Sequence, residues 1–315
     1  MTTETTTTRG SITGTTSTRG SITGTKNRVA PASQRTRRPS SPQLPKKVAF
    51  AVVAIAAVAL FVLPIVWILT TSLKPTGEIF AIPPSVLPAS PTAEHFSEVV
   101  NDGRILHMFA NSLIVATGAT VISLVVGVPA AFGFARFPYR ISGILLGGAL
   151  VTRMFPPVAL ALPFFLQFRQ LGLINTTTGL MIAYLPIVLP LVIWMLEGFF
   201  REFPEEVLEA ARLDGLGTLQ SLIRIVLPLS RPAVGVAALF GFLAAWNEFV
   251  IALSLTRTPD AQTMPVGIAS YITQFQTVWG QMTAASVVYL VPVLIVTVIA
   301  QRNIISGLMS GASKG

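Results

Sequence analysis

Acid–base, nucleophilic or metal chemistry in this chain would have to be built from 13 carboxylates, two histidines and no cysteine. The missing cysteines exclude disulfides, thiolate metal sites and thiol nucleophiles, and leave the redox compartment unmarked. His95 and His107 fit no His-Glu-x-x-His spacing, so no metal site is expected. No Gly-Lys pair occurs anywhere, so there is no G-x-x-x-x-G-K-[ST] loop to cradle a phosphate. The chain is therefore expected not to hydrolyse ATP itself, and neither a catalytic residue nor a bound cofactor is assigned to it. What remains is recognition, through a surface offered to a partner or to lipid.

The stretch suited to that is Pro204 to Pro232, PEEVLEAARLDGLGTLQSLIRIVLPLSRP, a polar interval between two long apolar segments. It reads as two short helices with a glycine break. Pro204 suits a first helical turn, Glu205 and Glu206 favour a helix N-terminus, and Arg212 favours the C-terminus. Gly215 can take the left-handed conformation that closes a helix, and Gly217 adds a second permissive position. Thr218 is the expected N-cap of the second helix. Leu219, Leu222, Ile223 and Val226 then recur at i, i+3, i+4 and i+7, one apolar face, and Pro228 is expected to end it. Such a segment offers a docking surface; a helix lying on lipid would show the same pattern.

The elements around it are hydrophobic. Of 315 residues, 52% are hydrophobic and 11% charged, with mean hydropathy +0.69. A soluble domain carries about 25% charge, so a polytopic membrane protein is expected. Six spans are expected, at about Val48–Leu73, Leu106–Phe134, Ile141–Phe168, Leu180–Phe200, Ala233–Leu255 and Ala284–Ala300. The net charge of +9 sits mostly beside the spans, which argues for membrane topology and against nucleic acid. One set of flanks holds Arg136, Arg140, Arg201, Arg212, Arg224, Arg231, Arg302 and Lys314 besides the basic N-terminal tail. The other holds Lys74, Arg104, Arg169 and Arg257. By the positive-inside rule both termini and the Pro204–Pro232 stretch are cytoplasmic.

Residues 1–47 are rich in Thr, Ser, Pro and basic residues, and Thr8–Thr15 recurs unchanged as Thr18–Thr25. This tail has too little apolar surface to offset ordering entropy and is expected to be disordered. Its basic residues suit anionic lipid headgroups, and they equally suit a solvated tail that only sets topology. The membrane-spanning body is expected over 48–301, followed by a cytoplasmic tail over 302–315. The outside stretch Lys74–Arg104, with five prolines, is expected to be extended.

Arg153, Glu197, Asn247 and Glu248 fall at membrane depth or near its edges. Buried charge costs several kcal/mol in lipid, so such groups face the bundle, a partner or a wet path. Glu197 is expected at the interface. Arg153 precedes Pro156-Pro157, where freed carbonyls need partners. The last outside loop carries Gln274, Phe275 and Gln276, amides and an aromatic ring that suit either a sugar-facing surface or an interfacial belt.

Glu209-Ala210-Ala211, then Asp214-Gly215, then Leu227-Pro228-Leu229 resembles the EAA loop of ABC importer permeases, with Leu216 standing where that family usually has a small residue. Trp246-Asn247-Glu248-Phe249 resembles the WN[DE] element of their sugar-transporting members. Together with Leu253-Ser254-Leu255-Thr256 and Gly307-Leu308 to Gly311-Ala312-Ser313-Lys314-Gly315, the membrane region is similar to the MalG-type permeases of carbohydrate importers. The resemblance implies an all-α, six-span fold with a MetI/MalG-like core in the bacterial cell membrane. It implies a MalF-like second permease, an ABC ATPase dimer that binds ATP and Mg, and an extracytoplasmic sugar-binding protein. The cargo would be a di- or oligosaccharide such as maltose, maltodextrin or trehalose. Glu209, Ala210, Ala211, Asp214, Gly215, Arg224 and Pro228 would couple to the ATPase. Arg153, Trp246, Asn247 and Glu248 would line the path or the permease interface, and Gln274, Phe275 and Gln276 would touch the binding protein. The alternative is a self-contained secondary carrier or channel for a small polar solute, which would usually show a midplane ion or proton site; the central spans lack paired acids and an obvious internal repeat. A membrane enzyme would need a polar catalytic cluster that this chain does not offer.

Overall fold

The structure, a computed structural model, describes residues 44–137 and 140–312. The expected disordered tail lies outside the described residues as far as position 43. Among the described residues the secondary structure is helical, with one isolated bridge between Ile272 and Thr277. The chain divides after Ala54 into two units. The first supplies the beginning of α1 (Leu44–Ser72); the second holds the rest of the described chain. From Ile55 to Trp67 the side chains of α1 are exposed, a long apolar surface of the kind that lipid or a partner covers.

Within the second unit follow α2 (Thr76–Ile79), α3 (Glu94–Asn101), α4 (Arg104–Arg136), α5 (Arg140–Thr152), α6 (Pro157–Gln170) and α7 (Thr177–Arg201). The coupling stretch holds α8 (Glu205–Leu213), α9 (Thr218–Ser221), a π turn (Leu222–Val226) and α10 (Leu227–Leu229). The chain continues through α11 (Arg231–Trp246), α12 (Val250–Leu255), α13 (Met264–Ala269) and α14 (Trp279–Ala312).

The pair α4 and α7 forms the centre, and α11 packs on both. Small residues let these backbones approach, since association in lipid rests on close packing rather than on excluding water. A Cβ on Gly127 would lie 3.0 Å from Val192, and one on Gly241 would lie 3.1 Å from Val188. Val188, Val192, Leu196 and Phe200 of α7 are buried along that seam with Ala119, Ala131 and Phe132 of α4.

Among the described residues, four helices are by themselves long and apolar enough to cross a membrane: Val48–Ser72, Arg104–Arg136, Thr177–Arg201 and Trp279–Gln301. Two bent pairs raise the count to as many as six. The expected third span is not one rod, because α5 and α6 meet at 96° across Arg153–Pro156. Pro156 and Pro157 supply no N–H, and a proline pushes the residue before it out of the helical region. Pro157 then opens α6, where a missing N–H costs nothing. The expected fifth span also breaks: α11 stops at Trp246, and α12 starts after an interval of three residues. At its other end α11 meets the Thr218–Leu229 segment at 83°.

One end of the bundle is laced by side-chain amides and hydroxyls. Asn111 Nδ2 lies 3.0–3.2 Å from the carbonyls of Pro259, Asp260 and Gln262. Ser112 Oγ accepts from the Met264 N–H at 2.7 Å. Asn175, at φ +60°, accepts from the Arg257 and Thr258 N–H groups and donates to Thr258 Oγ1. These bonds turn the middle of the Arg257–Trp279 loop into α13, packed against α4 with Met264 fully buried.

The Lys74–Arg104 stretch is likewise folded rather than simply extended, since it holds α2, α3 and a set of local bonds. Lys74 is buried, donates to the Ser85 carbonyl and lies 4.9 Å from the Trp67 ring centroid. Glu78 Oε1 accepts from Ala89 N–H and Ser85 Oγ–H, both at 2.9 Å. The Ala89 bond is the main cause holding this carboxyl below its ordinary range, against an opposing desolvation. A depressed carboxylate contributes above its unfolded value and stops contributing as pH falls through its lowered one. Protection of the Ala89 amide from exchange is therefore expected to persist on mild acidification and to drop only below the ordinary carboxylate range. Glu78→Gln should abolish that pH dependence; an Ala89 amide equally protected at every pH would remove the tether.

Candidate functional site

The coupling stretch starts where α7 ends. Phe200 is buried and meets Phe132 edge-on at 5.8 Å, while Arg136 Nη2 donates to the Phe203 carbonyl at 2.6 Å. Pro204 stands at the N-cap and Glu205 and Glu206 open α8, whose first turn welcomes their charge. Leu208 and Ala211 point into the bundle and are buried; Glu209, Ala210, Arg212 and Leu213 are exposed, Leu213 at 89%. The helix ends as a Schellman motif. Gly215, at φ +80°, donates to the Arg212 carbonyl at 3.0 Å, and Leu216 N–H donates to the Ala211 carbonyl at 3.0 Å. Asp214 occupies the C-cap. Leu216 falls at the position after the left-handed residue, where an apolar side chain packs back on the helix, and it is half-buried. The departure from a small residue there thus has a structural use.

The second half departs from expectation in three ways. Thr218 is the first helical residue and Gly217 is the cap, in extended backbone with its N–H donating to Gln220 Oε1 at 3.3 Å. Pro228 does not end the helix. Its ring would collide with the carbonyl four residues earlier in a regular helix, and the backbone widens instead: the Leu227 N–H donates to the Leu222 carbonyl, five residues back. The helix continues to Leu229. The apolar face is also divided, because Leu222 and Val226 are buried while Leu219 and Ile223 are more than half exposed. Arg224 projects from the π turn and is exposed.

The site residues of the spans go to different places. Arg153 lies at the α5–α6 elbow, exposed, and its guanidinium makes no hydrogen bond among the described residues, so it does not satisfy the freed carbonyls. It borders a cavity of about 450 Å³ with Phe155, Phe164, Pro186 and Ile251. Trp246 is 1% exposed, stacked on Phe242 and Tyr289 with Phe109 edge-on. Asn247 is exposed and bonds its own helix through the Leu243 carbonyl; Tyr289 Oη donates to the Trp246 carbonyl at 2.8 Å. Glu248 is buried and accepts from the N–H groups of Ile251 (2.9 Å) and Ala252 (3.0 Å), so it caps α12. Removing a cap costs about 1–2 kcal/mol. Glu248→Ala is expected to lower the unfolding temperature by a few degrees, with Glu248→Asp recovering part of the loss; equal stability of Glu248→Ala and the parent would deny the capping role. Glu197, expected at the interface, is buried and pairs with Arg201 one turn on. Gln274, Phe275 and Gln276 form an exposed turn closed by Thr273 Oγ1 donating to the Gln276 carbonyl, with Phe275 94% exposed.

Sequence reasoning missed Asn111 and Asn175, which fix the loop end, and His95, which is 1% exposed. An asparagine inside an uncharged span was the available signal for the first. The other two are located only by contacts far along the chain.

Comparison with known proteins agrees with this geometry. Residues 109–308 match the family model described as the binding-protein-dependent transport system inner membrane component. The chain is 35% identical to the trehalose transport system permease protein SugB of Mycobacterium tuberculosis, over 84% of this chain and 97% of that one. It is 37% identical to the sulfoquinovosyl glycerol transport system permease protein SmoH of Agrobacterium fabrum, over 80% and 88%. Its fold matches a chain of a bacterial ABC transporter involved in the import of the acidic polysaccharide alginate, with a TM-score of 0.71 at 22% identity, over 85% of this chain and 99% of that one. The chain belongs to the family of inner-membrane permease components of binding-protein-dependent transport systems.

Proposed function

We propose that this chain is one of two permease subunits of an ATP-driven carbohydrate importer, and that α8 with Gly215 carries force from an ATPase into the bundle. The observation that carries the reading is the exposed Glu209–Ala210–Leu213 surface. It stands on a helix anchored from behind by Leu208 and Ala211 and closed by a left-handed glycine. A rigid helix with one face in the bundle and the other free transmits a push. ATP and Mg would bind to a partner ATPase dimer, whose closure would bring two such helices together and flip the spans from inward- to outward-facing. On this reading α8 and both chain termini are cytoplasmic, in line with the Lys and Arg distribution.

Relatives named for trehalose and sulfoquinovosyl glycerol support a carbohydrate cargo, and the trehalose relative favours a di- or oligosaccharide. The Arg153 cavity is our candidate path element. Pro186 lies about 14 Å along α7 from Thr177, near the middle of a ~30 Å core. A guanidinium at that depth needs a wet path or a partner. Trp246, Asn247 and Glu248 support the α11–α12 break at the permease interface, and the Gln274–Phe275–Gln276 turn is the candidate contact for a sugar-binding protein.

Affinity purification in mild detergent tests the reading. Stoichiometric recovery of a P-loop ATPase and a second, MalF-like permease is expected, with sugar uptake in vesicles dependent on ATP and a binding protein. A stable, active homomer without an ATPase would overturn it in favour of a secondary carrier.

A further inference from the structure

Behind α8, between the coupling segment and the bundle, is a second cavity of about 280 Å³ that no step of transport uses. Phe132, Arg136 and Phe137 close it from the end of α4, Leu208 and Arg212 from α8, and Leu216, Gly217, Thr218 and Ser221 from the glycine turn and α9. Two guanidiniums of like charge line one small space, and Glu205 is the acid whose charge acts on Arg136. Arg136 spends Nη2 on the Phe203 carbonyl, while its Nε is buried without a hydrogen-bond partner. Arg136 Nη1 and the Arg212 guanidinium make no hydrogen bond among the described residues, and two such cations lining one cavity suit an oxyanion.

Depth and wall chemistry narrow the anion. At 1.5 Å per residue α4 is about 50 Å long, well beyond a ~30 Å hydrocarbon core, so its last residue stands at headgroup level. The cavity's other walls are mostly apolar, Phe132, Phe137, Leu208 and Leu216, with Thr218 and Ser221 beside Gly217, a mixture that suits an amphiphile with a glycerol and an acyl chain better than hydrated inorganic phosphate. We infer that this cradle binds the phosphate of an anionic phospholipid headgroup. The lipid bridges Arg136 of the bundle and Arg212 of the coupling helix. It makes the seating of α8 depend on bilayer composition.

The test uses the intact transporter and native mass spectrometry. Probes are phosphatidylglycerol, phosphatidylcholine as the zwitterionic control, and inorganic phosphate as the free-anion control. Retention of phosphatidylglycerol but not phosphatidylcholine is expected, and Arg136→Gln or Arg212→Gln should each reduce its occupancy about tenfold, the scale of one charge-assisted bond. Arg257→Gln, at the opposite end of the bundle, should leave occupancy unchanged. Equal retention by the Arg212→Gln variant and the parent overturns the proposal, as does displacement of the lipid by millimolar inorganic phosphate. If Arg136→Gln fails to assemble, Arg212→Gln decides alone, because Arg212 is exposed and removing its charge leaves α8 able to fold.

Discussion

Gly215→Val is expected to lower uptake by the assembled transporter at least tenfold while the chain still inserts and still binds its partners. The reason lies in the backbone. Gly215 sits at φ +80°, and a Cβ added there would meet nothing within 4 Å. No neighbour resists the new side chain; the strain is that of a β-branched residue in the left-handed region, about 1–2 kcal/mol or more. Two bonds that close α8 run from the Gly215 and Leu216 N–H groups. If the residue relaxes to negative φ, both are lost, and Glu209, Ala210 and Leu213 are no longer presented together. Gly215→Asn separates this account from a purely steric one, since asparagine tolerates the left-handed region, and it should retain most uptake. Glu209→Arg should impair coupling by a different route, reversing the charge of the presented face without touching the fold. The readouts are sugar uptake and ATPase stimulation by the loaded binding protein. Normal values for both Gly215→Val and Glu209→Arg would remove the coupling assignment.

The largest stability effect is expected at Gly280, at the start of α14. A Cβ there would fall 2.3 Å from His95 Nε2 and 2.4–2.6 Å from the adjoining ring carbons. The ring is poorly placed to yield. Its Nε2 lies 3.0 Å from the Lys74 carbonyl and its Nδ1 3.4 Å from Glu98, whose carboxylate also accepts from Gln281 Nε2 at 2.6 Å. Overpacking of this kind costs about 1–3 kcal/mol. Gly280→Ala should therefore unfold about 5–10 °C earlier than the parent in detergent. The double variant Gly280→Ala/His95→Ala should be less destabilised than the two single effects added together. An unchanged unfolding temperature for Gly280→Ala would mean that the imidazole moves freely and that α3 is not locked to α14.

Much of the coupling segment was legible because its signals are local. Glu205, Glu206, Arg212 and Gly215 act within a turn or two of their own positions, and the structure uses each as the sequence implies. The π turn was not legible. Whether Pro228 stops a helix or widens it is decided by Leu222 and Val226, which are buried against the bundle, and burial depends on the distant surface they meet. The same holds for the third span. The Pro156-Pro157 pair marks the break, but the 96° angle follows from α6 packing on α12, some 90 residues later. Glu248 shows the reverse case. A motif resemblance drew attention to the residue, and its place three residues before the Ile251 N–H made it a cap.

The lacing of one end by Asn111, Ser112 and Asn175 has a mechanical consequence. Among the described residues, the coupling stretch is tied to the helices beside it by apolar packing and by a single side-chain bond at its entrance, from Arg136 to Phe203. A lever with one clamped end and one loose end turns about the clamp. Displacement applied at α8 would then be largest there and fade toward Asn111 and Asn175, making the laced rim the fulcrum.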